Sequence, residues 1–163
     1  MKTLLLVRHA KSSWDNLTLS DFDRPLNGRG KVEAPQMAKR IKDRKIKIDL
    51  FISSPAKRAK KTAKIFMEIF DESKKKLVLV PSLYEASVVN FYNAVETIDD
   101  TNNIVALFSH NPGITEFANS LTEYKVDNIP TCGIFAVSMR IEKWNEFKNA
   151  DKKLLFFDFP KNS

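Results

Sequence analysis

Residues 4–10 of the chain read Leu-Leu-Leu-Val-Arg-His-Ala. Four consecutive apolar residues that end in a charged pair are typical of a strand buried on both faces, as in a parallel sheet. The pattern predicts that Arg8 and His9 emerge where this strand ends. In open α/β sheets, ligands bind at the carboxyl ends of the strands. The stretch therefore predicts both a central strand and the location of a functional site.

Outward from this strand, apolar runs alternate with amphipathic stretches. Further strands are predicted at residues 49–53, 77–80, 104–108, 133–139 and 153–159. Helices are predicted from Gly28, from Pro55, across residues 88–98 and after Gly113. This alternation predicts an α/β fold, a three-layer sandwich with a mostly parallel central sheet flanked by helices. The connection that contains Trp144 is short, which predicts that the last two strands are antiparallel. We expect one domain over residues 1–163.

Both histidines of the chain, His9 and His110, directly follow a predicted strand. One such histidine is often an ordinary surface or core residue, but two at one sheet edge favour a reactive site. A neutral imidazole is a nucleophile toward phosphorus, and the donors of an arginine match phosphoryl oxygens. Because Arg8 adjoins His9, the pattern points to phosphoryl chemistry.

A second arginine is expected near this edge. Ser54 and Pro55 have the form of a helix cap followed by proline at the first helical position, so Arg58 is predicted in the first turn of a helix. Helix N-termini favour anions. Taken alone, Arg58 is equally compatible with being one more cation beside Lys57 and Lys61.

Three segments, in this order, resemble the motifs of the histidine phosphatase superfamily, the phosphoglycerate-mutase-like enzymes. They are residues 8–10 (Arg-His-Ala), 54–63 (Ser-Pro-Ala-Lys-Arg-Ala-Lys-Lys-Thr-Ala) and 109–113 (Ser-His-Asn-Pro-Gly). Ala10, together with residues 11–14 and 23–30, resembles the small SixA branch of phosphohistidine phosphatases. The resemblance runs from Leu4 to about Pro160 and implies a phosphoglycerate-mutase-like fold.

The resemblance also implies roles for single residues. His9 would accept the phosphoryl group, while Arg8, Arg58 and His110 would surround its oxygens, with no cofactor and no metal ion. Family members often have a carboxylate after the third strand, and Glu85 is the carboxylate near that place. Glu85 is either the general acid or an ordinary loop carboxylate.

One position departs from the family pattern. Asp15 stands where mutase-like members have an asparagine that helps to line the phosphate pocket. A carboxylate that pointed inward would repel phosphate, so we expect Asp15 to face outward or to pair with Lys11 or Arg24. Mutase activity is correspondingly disfavoured.

The net charge of +7 is unevenly distributed. The segment from Lys31 to Lys76 contains 15 basic and 6 acidic residues, whereas residues 77–124 contain no Lys or Arg. The basic segment is predicted to steer an acidic partner toward the site. For most of its lysines, a solvated surface is the simpler explanation.

Several classes of protein are excluded by the sequence. A single cysteine, Cys132, permits neither an internal disulfide nor a thiolate zinc site, and it favours a reducing, cytoplasmic setting. Ser138 occupies the position where a cysteine-based phosphatase loop needs arginine, and Glu33 interrupts a dinucleotide fingerprint. The first apolar run is too short for a signal peptide or a membrane span, so no membrane partner is expected.

The sequence thus predicts a metal-independent phosphatase with a phosphohistidine intermediate, acting on phosphohistidine carried by a protein. One alternative is a small-molecule phosphomonoesterase that uses the same residues. Another is a basic module that binds nucleic acid or phosphoproteins. We expect no nucleic-acid partner because the aromatic residues lie at core spacing rather than on a stacking platform. The length of 163 residues leaves little room for a lid.

Overall fold

A computed structural model describes residues 1–72 and 77–162. Its strands are β1 (Lys2–Arg8), β2 (Leu50–Ser53), β3 (Leu77–Leu79), β4 (Ile104–Ser109), β5 (Ile134–Met139) and β6 (Lys153–Asp158). Its helices are α1 (Gly28–Asp43), α2 (Lys57–Ile69), α3 (Val88–Glu96) and α4 (Gly113–Leu121). Within the described ranges, no helix has the length and apolar character needed to cross a bilayer.

The sheet has the strand order β3-β2-β4-β1-β5-β6. Strands β1 to β4 pair in parallel, whereas β5 pairs antiparallel with both β1 and β6. The mostly parallel sheet, its flanking helices and the antiparallel last pair are confirmed. The connection before β6 is a 3₁₀ helix, Trp144–Asn149.

Strand β1 connects the two halves of the core, because successive side chains of a strand point to opposite faces of the sheet. Leu4 and Leu6 pack in one cluster with side chains of α3 and α4, while Leu5 and Val7 pack in the other with side chains of α1 and α2. All four are fully buried. Burial of each such side chain contributes roughly 1.5–3 kcal/mol to folding, which fixes β1 in the middle of the sheet.

The prediction for the start of α2 is wrong. The helix begins at Lys57, and its N-cap residue is Ala56, which has no capping side chain. The hydroxyl of Ser54 accepts a hydrogen bond from the Ala56 amide within the preceding turn and contacts His110 across the sheet edge. Ser54 thus lies two residues before the N-cap and belongs to the turn between β2 and α2. Arg58 still lies in the first helical turn, as predicted.

The strand register brings the predicted reactive residues together. Arg8 in β1 pairs with Ser109 in β4, and Ser53 in β2 pairs with Phe108 in β4. The residues that follow these strands therefore leave the sheet side by side at one edge. The amide of His9 donates to the Ser109 carbonyl over 3.1 Å, which extends the β1–β4 pairing to the first histidine.

Two glycines allow backbone segments to approach closely at this edge. A Cβ atom on Gly30 would lie 2.2 Å from the Lys11 carbonyl oxygen, and one on Gly113 would lie 2.3 Å from the Ala86 carbonyl oxygen. Both distances are shorter than a non-bonded contact allows. The start of α1 thereby packs directly against the backbone of the loop after β1, and the start of α4 against the backbone of the loop after β3.

Candidate active site

A surface cavity of about 500 Å³ opens at the carboxyl edge of the parallel strands. It brings together the five residues that the sequence singles out: Arg8, His9, Arg58, Glu85 and His110. We call Arg8, His9, Arg58 and His110 the floor of the cavity; the last three are buried and Arg8 is partly buried.

The His9 imidazole has a defined tautomer. Its Nδ1 lies 2.7 Å from the carbonyl oxygen of Ala10, and a carbonyl only accepts hydrogen bonds, so Nδ1 carries the proton. Nε2 therefore keeps its lone pair, and the Nε–H of Arg58 approaches it at 3.4 Å. The arrangement presents Nε2 to the cavity as a nucleophilic atom.

The pKa of His9 is held well below its ordinary value of 6.5. Burial is the largest cause, and nearby His110, Arg58 and Arg8 add to it because they disfavour a further positive charge. The hydrogen bond to Ala10 acts in the opposite direction. His9 is therefore neutral at physiological pH, as a nucleophile must be.

Thr62 ties His9 and Arg58 to the same helix. Its buried hydroxyl accepts from the Ala10 amide at 3.0 Å and donates to the Arg58 carbonyl at 2.8 Å. The loop after β1 and the first turn of α2 are thus joined through one side chain. These two hydrogen bonds fix the position of His9 relative to Arg58.

The second imidazole lies close to the first, with ring centroids 5.1 Å apart. His110 Nε2 contacts the hydroxyl of Ser54 at 2.7 Å. That hydroxyl also accepts from the Ala56 amide and keeps its own proton and a second lone pair, so either atom can be the donor in its contact with Nε2. Burial, followed by the charge of Arg58, lowers the pKa of His110 to about 3.

Two buried nitrogens of the floor, Arg8 Nε and His110 Nδ1, have no hydrogen-bond partner within the described residues. Arg8 is anchored through Nη1 to the Ile129 carbonyl at 2.9 Å. Buried donors without partners are costly and are concentrated at functional sites. Both nitrogens belong to residues that line the cavity. The oxygens of an anion would satisfy Arg8 Nε, and would also satisfy His110 Nδ1 in the tautomer that carries the proton there.

The remaining nitrogens of Arg58 are held by Asp21. Nη1 donates to the Asp21 carbonyl at 2.6 Å and Nη2 to its carboxylate at 3.0 Å. The guanidinium is therefore fixed at its outer end, and its Nε edge faces His9. Arg58 is buried and Asp21 is half-exposed, so Asp21 lies at the mouth of the cavity.

Asp21 accepts hydrogen bonds from three side chains at the mouth of the cavity, those of Arg58, Arg24 and Tyr84. We call Asp21, Arg24 and Tyr84 the rim. The Tyr84 hydroxyl donates to Asp21 Oδ2 at 2.6 Å, and Arg24 donates to Oδ1 from Nε and Nη2. These donors, with Arg58, hold the pKa of Asp21 at about 2 despite its partial desolvation. The same hydrogen bond raises the pKa of Tyr84 to about 12. Asp21 is thus a permanent anion.

Glu85 lines the cavity next to the rim but is exposed. Its backbone has a φ of 55°, in the left-handed region that few residues other than glycine adopt. Asp15 is exposed and faces outward, one of the two orientations expected for it. Cys132 is buried, and burial raises the pKa of its thiol.

Asp21, Tyr84 and Ser54 belong to the site but were not predicted as members. The stretch around Asp21 reads as a turn, and Ser54 reads as a helix cap. Only tertiary contacts give these residues their roles. Two signals point to them: Ser54 opens the segment 54–63 that resembles a family motif, and Asp21 lies two residues before the segment 23–30 that carries another part of the resemblance.

Across residues 1–72 and 77–162, no three His, Cys, Asp or Glu side chains are grouped so that they could hold a metal ion. The cavity residues are two imidazoles, three guanidinium groups, one lysine and two carboxylates, among others: His9, His110, Arg8, Arg24, Arg58, Lys11, Asp21 and Glu85. The donor set is suited to an anion rather than to a cation.

Two relatives are similar to this chain in sequence, one over most of its length and the other over about half of it. An uncharacterized chloroplastic protein of Arabidopsis thaliana is 29% identical over 157 residues, which covers 89% of this chain and 70% of that protein. A 2,3-bisphosphoglycerate-dependent phosphoglycerate mutase of Bartonella henselae is 35% identical over 86 residues. That match spans 52% of this chain and only 42% of the mutase.

Solved structures share the fold over nearly the full chain. A structure described as a candidate phosphohistidine phosphatase SixA from Agrobacterium tumefaciens has a TM-score of 0.81 at 24% identity, and the match covers 98% of each chain. The protein histidine phosphatase SixA solved with tungstate has a TM-score of 0.83 at 20% identity, again over 98% of each chain. The family model of the histidine phosphatase superfamily (branch 1) matches residues 4–112. The chain therefore belongs to this superfamily and is an enzyme of the phosphatase class.

Proposed function

We propose that the chain is a phosphatase that transfers a phosphoryl group from phosphohistidine on a protein to His9 and then to water, without a metal ion. One observation carries the proposal. The Nε2 atom of His9 keeps its lone pair inside the cavity, because Nδ1 is engaged by Ala10, and Arg58 Nε lies 3.4 Å away. Nucleophile and phosphoryl-binding donor are thus already positioned together.

In the first step, Nε2 of His9 attacks the phosphorus and the bond from phosphorus to the leaving nitrogen breaks. The leaving imidazole takes a proton and departs neutral. Arg58 Nε, Arg8 Nε and His110 Nδ1 donate to the phosphoryl oxygens, where preorganised donors contribute most to such reactions. The hydrogen bond from Nδ1 to Ala10 supports the charge that develops on the His9 ring.

In the second step, water attacks the phosphorus on His9 and the bond to Nε2 breaks. Inorganic phosphate leaves, the water gives up one proton, and His9 returns to its neutral form. The depressed pKa of His9 favours this return, because the buried ring resists protonation.

We assign Glu85 as the proton donor for leaving groups that need one. It lines the same cavity and is the carboxylate in the loop after β3. An imidazole leaving group can be protonated before it departs, whereas an alcohol needs a proton as its bond breaks. Glu85 should therefore matter more for phosphoesters than for phosphohistidine.

The protein substrate is supported by the surroundings of the cavity. Trp14 lines the cavity with 65% of its surface exposed, and Leu17 in the same loop is 89% exposed. Exposed apolar side chains beside a reactive site favour contact with another protein. The SixA neighbours are described as phosphatases of phosphohistidine and of proteins, which supports the same assignment.

A substrate comparison tests this function. The purified chain is assayed with a phosphohistidine protein and with a panel of sugar and nucleotide phosphates, each with and without a chelator. We expect the highest kcat/KM for the phosphohistidine protein and no loss of activity with the chelator. A clear preference for the panel would assign the chain to small-molecule phosphomonoesterases, and loss of activity with the chelator would contradict metal independence.

A further inference from the structure

A second depression, of about 520 Å³, lies beside the catalytic cavity. Five lysines line it, and we call it the lysine groove: Lys31, Lys57, Lys60, Lys61 and Lys64. Four of them come from α2 at spacings of three and four residues, so they share one side of the helix. Asp23 is the only acidic residue that lines the groove, which leaves four net positive charges.

The lysines of the groove are not neutralised by neighbouring carboxylates. Among residues 1–72 and 77–162, the ion pairs of basic side chains involve other arginines and lysines. Asp23 itself accepts a hydrogen bond from the Ser20 hydroxyl. Asp23 offsets only one of the five charges, so the groove presents a concentrated net positive potential.

One short element separates the groove from the catalytic cavity. The 3₁₀ turn Asp21–Asp23 places Asp21 at the cavity mouth, while the next two residues, Phe22 and Asp23, line the groove. A chain segment that lies across this turn would reach His9 on one side and the lysines on the other. The two depressions thus form adjacent parts of one surface.

The walls of the groove are partly apolar. Phe22, Pro25, Leu26 and Pro55 contribute to it, and Phe22 is 37% exposed. Phe22 also packs edge-on against Tyr84 of the rim, with ring centroids 5.1 Å apart. Phe22 is the one aromatic residue among the described residues that line the groove, which therefore lacks a row of rings for successive bases. Lysines above partly apolar walls fit a polypeptide better than a nucleic acid.

We propose that the lysine groove binds an acidic segment of the phosphorylated protein, next to the residue whose phosphoryl group enters the cavity. The inference rests on the proposed function and deepens it, because it names the chemistry of the partner. Surface charges of this kind act chiefly on the rate of encounter and on partner choice. Acidic flanks should therefore raise kcat/KM and leave the chemistry at His9 unchanged.

Paired peptides test this proposal. One carries phosphohistidine between four glutamates on each side, and the other carries glutamines at the same positions. We expect the wild type to favour the acidic peptide by about tenfold in kcat/KM, and salt to reduce this preference. The variant Lys60→Glu/Lys61→Glu/Lys64→Glu should abolish or reverse it.

A matched control changes the same number of exposed lysines away from the groove, Lys47→Glu/Lys148→Glu/Lys161→Glu. This control should keep the wild-type preference. Both triple variants should hydrolyse p-nitrophenyl phosphate within about twofold of the wild type, since surface substitutions rarely disturb the core. Equal turnover of the two peptides by the wild type, or the same preference in both triple variants, would overturn the proposal.

A binding measurement separates this inference from the proposed function. The unphosphorylated acidic peptide, labelled with fluorescein, should bind the wild type and the control variant more tightly than the groove variant. If the acidic peptide binds in this way but neither phosphopeptide is hydrolysed, the proposal for the lysine groove is supported and the proposed function is contradicted. If a single-stranded oligonucleotide binds through these lysines and the acidic peptide does not, the groove recognises nucleic acid and our proposal is wrong.

Discussion

The floor and the rim of the cavity are built in different ways. Floor residues Arg8, His9 and His110 end or directly follow central parallel strands, and His9, Arg58 and His110 are buried. The rim comes from two loops, and its centre, Asp21, is about half exposed. The difference indicates that the sheet supplies the reacting groups, whereas the loops hold them in orientation and meet the substrate.

The largest effect should come from the floor. His9→Ala removes the nucleophile, so hydrolysis of any phosphoester or phosphohistidine substrate should fall by about 10⁴-fold or more. Activity is compared with the wild type at equal concentration, and circular dichroism checks that the variant is folded. Substantial residual turnover by a folded variant would show that the floor does not supply the acceptor.

Arg58 joins floor and rim, so its replacement tests both. Lysine keeps the charge of Arg58 but cannot contact His9 and Asp21 through separate nitrogens. For Arg58→Lys we expect kcat to fall by about 100-fold, in line with loss of one preorganised donor. The neighbouring Lys57→Arg is the control and should retain activity. Equal activity of the two variants would mean that charge alone is needed.

The rim is probed by Asp21→Asn, which replaces a carboxylate that accepts from Arg58, Arg24 and Tyr84. We treat Asp21 as a positioning residue and expect kcat to fall by about tenfold, with little change in KM. The pKa of Tyr84 should also fall from about 12 toward 10, which ultraviolet absorbance of the phenolate reports. If the Tyr84 pKa falls in the variant while kcat stays unchanged, Asp21 holds Tyr84 but does not position the groups that act on the substrate.

Glu85 should show a smaller effect that depends on the substrate. Glu85→Gln is expected to slow an alkyl phosphate by about tenfold. Phosphohistidine should change by less than about twofold, because its leaving group is readily protonated. The two kcat values are measured side by side for variant and wild type. Equal slowing of both substrates would reject the role of Glu85 as a leaving-group acid.

The smallest effect concerns pH and stability. The folded-state pKa of His110 is about 3, below the unfolded value near 6.5. Between these values the unfolded chain binds more protons, so stability falls as the pH drops through this window, by at most about 1.4 kcal/mol per pH unit for this group. Urea denaturation at pH 7 and pH 4.5 should show this loss, and His110→Gln should lose less. An identical pH dependence in both proteins would contradict the burial of a neutral His110.

The difference between the floor and the rim also explains which site residues can be predicted from the sequence. The run at residues 4–7 and the strand at 104–108 place both histidines at one edge by pattern alone. Asp21 and Tyr84 lie in loops without periodicity, so their meeting with Arg58 depends on tertiary packing. The local pattern at Ser54 predicts a helix cap, whereas the helix begins at Lys57 and the Ser54 hydroxyl contacts His110, which no local pattern indicates.

A count of charges does not show where the lysines between Lys31 and Lys76 lie in the fold. The excess between Lys31 and Lys76 is plain from composition, but Lys74, Lys75 and Lys76 lie outside the described residues. Only the fold shows which described lysines converge on one groove. It also shows that others, such as Lys39 and Lys42, have acidic partners elsewhere.

The most direct test of the account is to trap the covalent intermediate. Wild-type protein is mixed with a ³²P-labelled phosphohistidine protein, quenched within milliseconds, and digested to locate the label. We predict acid-labile, alkali-stable label on the peptide that contains His9, and none in His9→Ala. Label on a serine, an aspartate or His110 would contradict the central claim that His9 accepts the phosphoryl group.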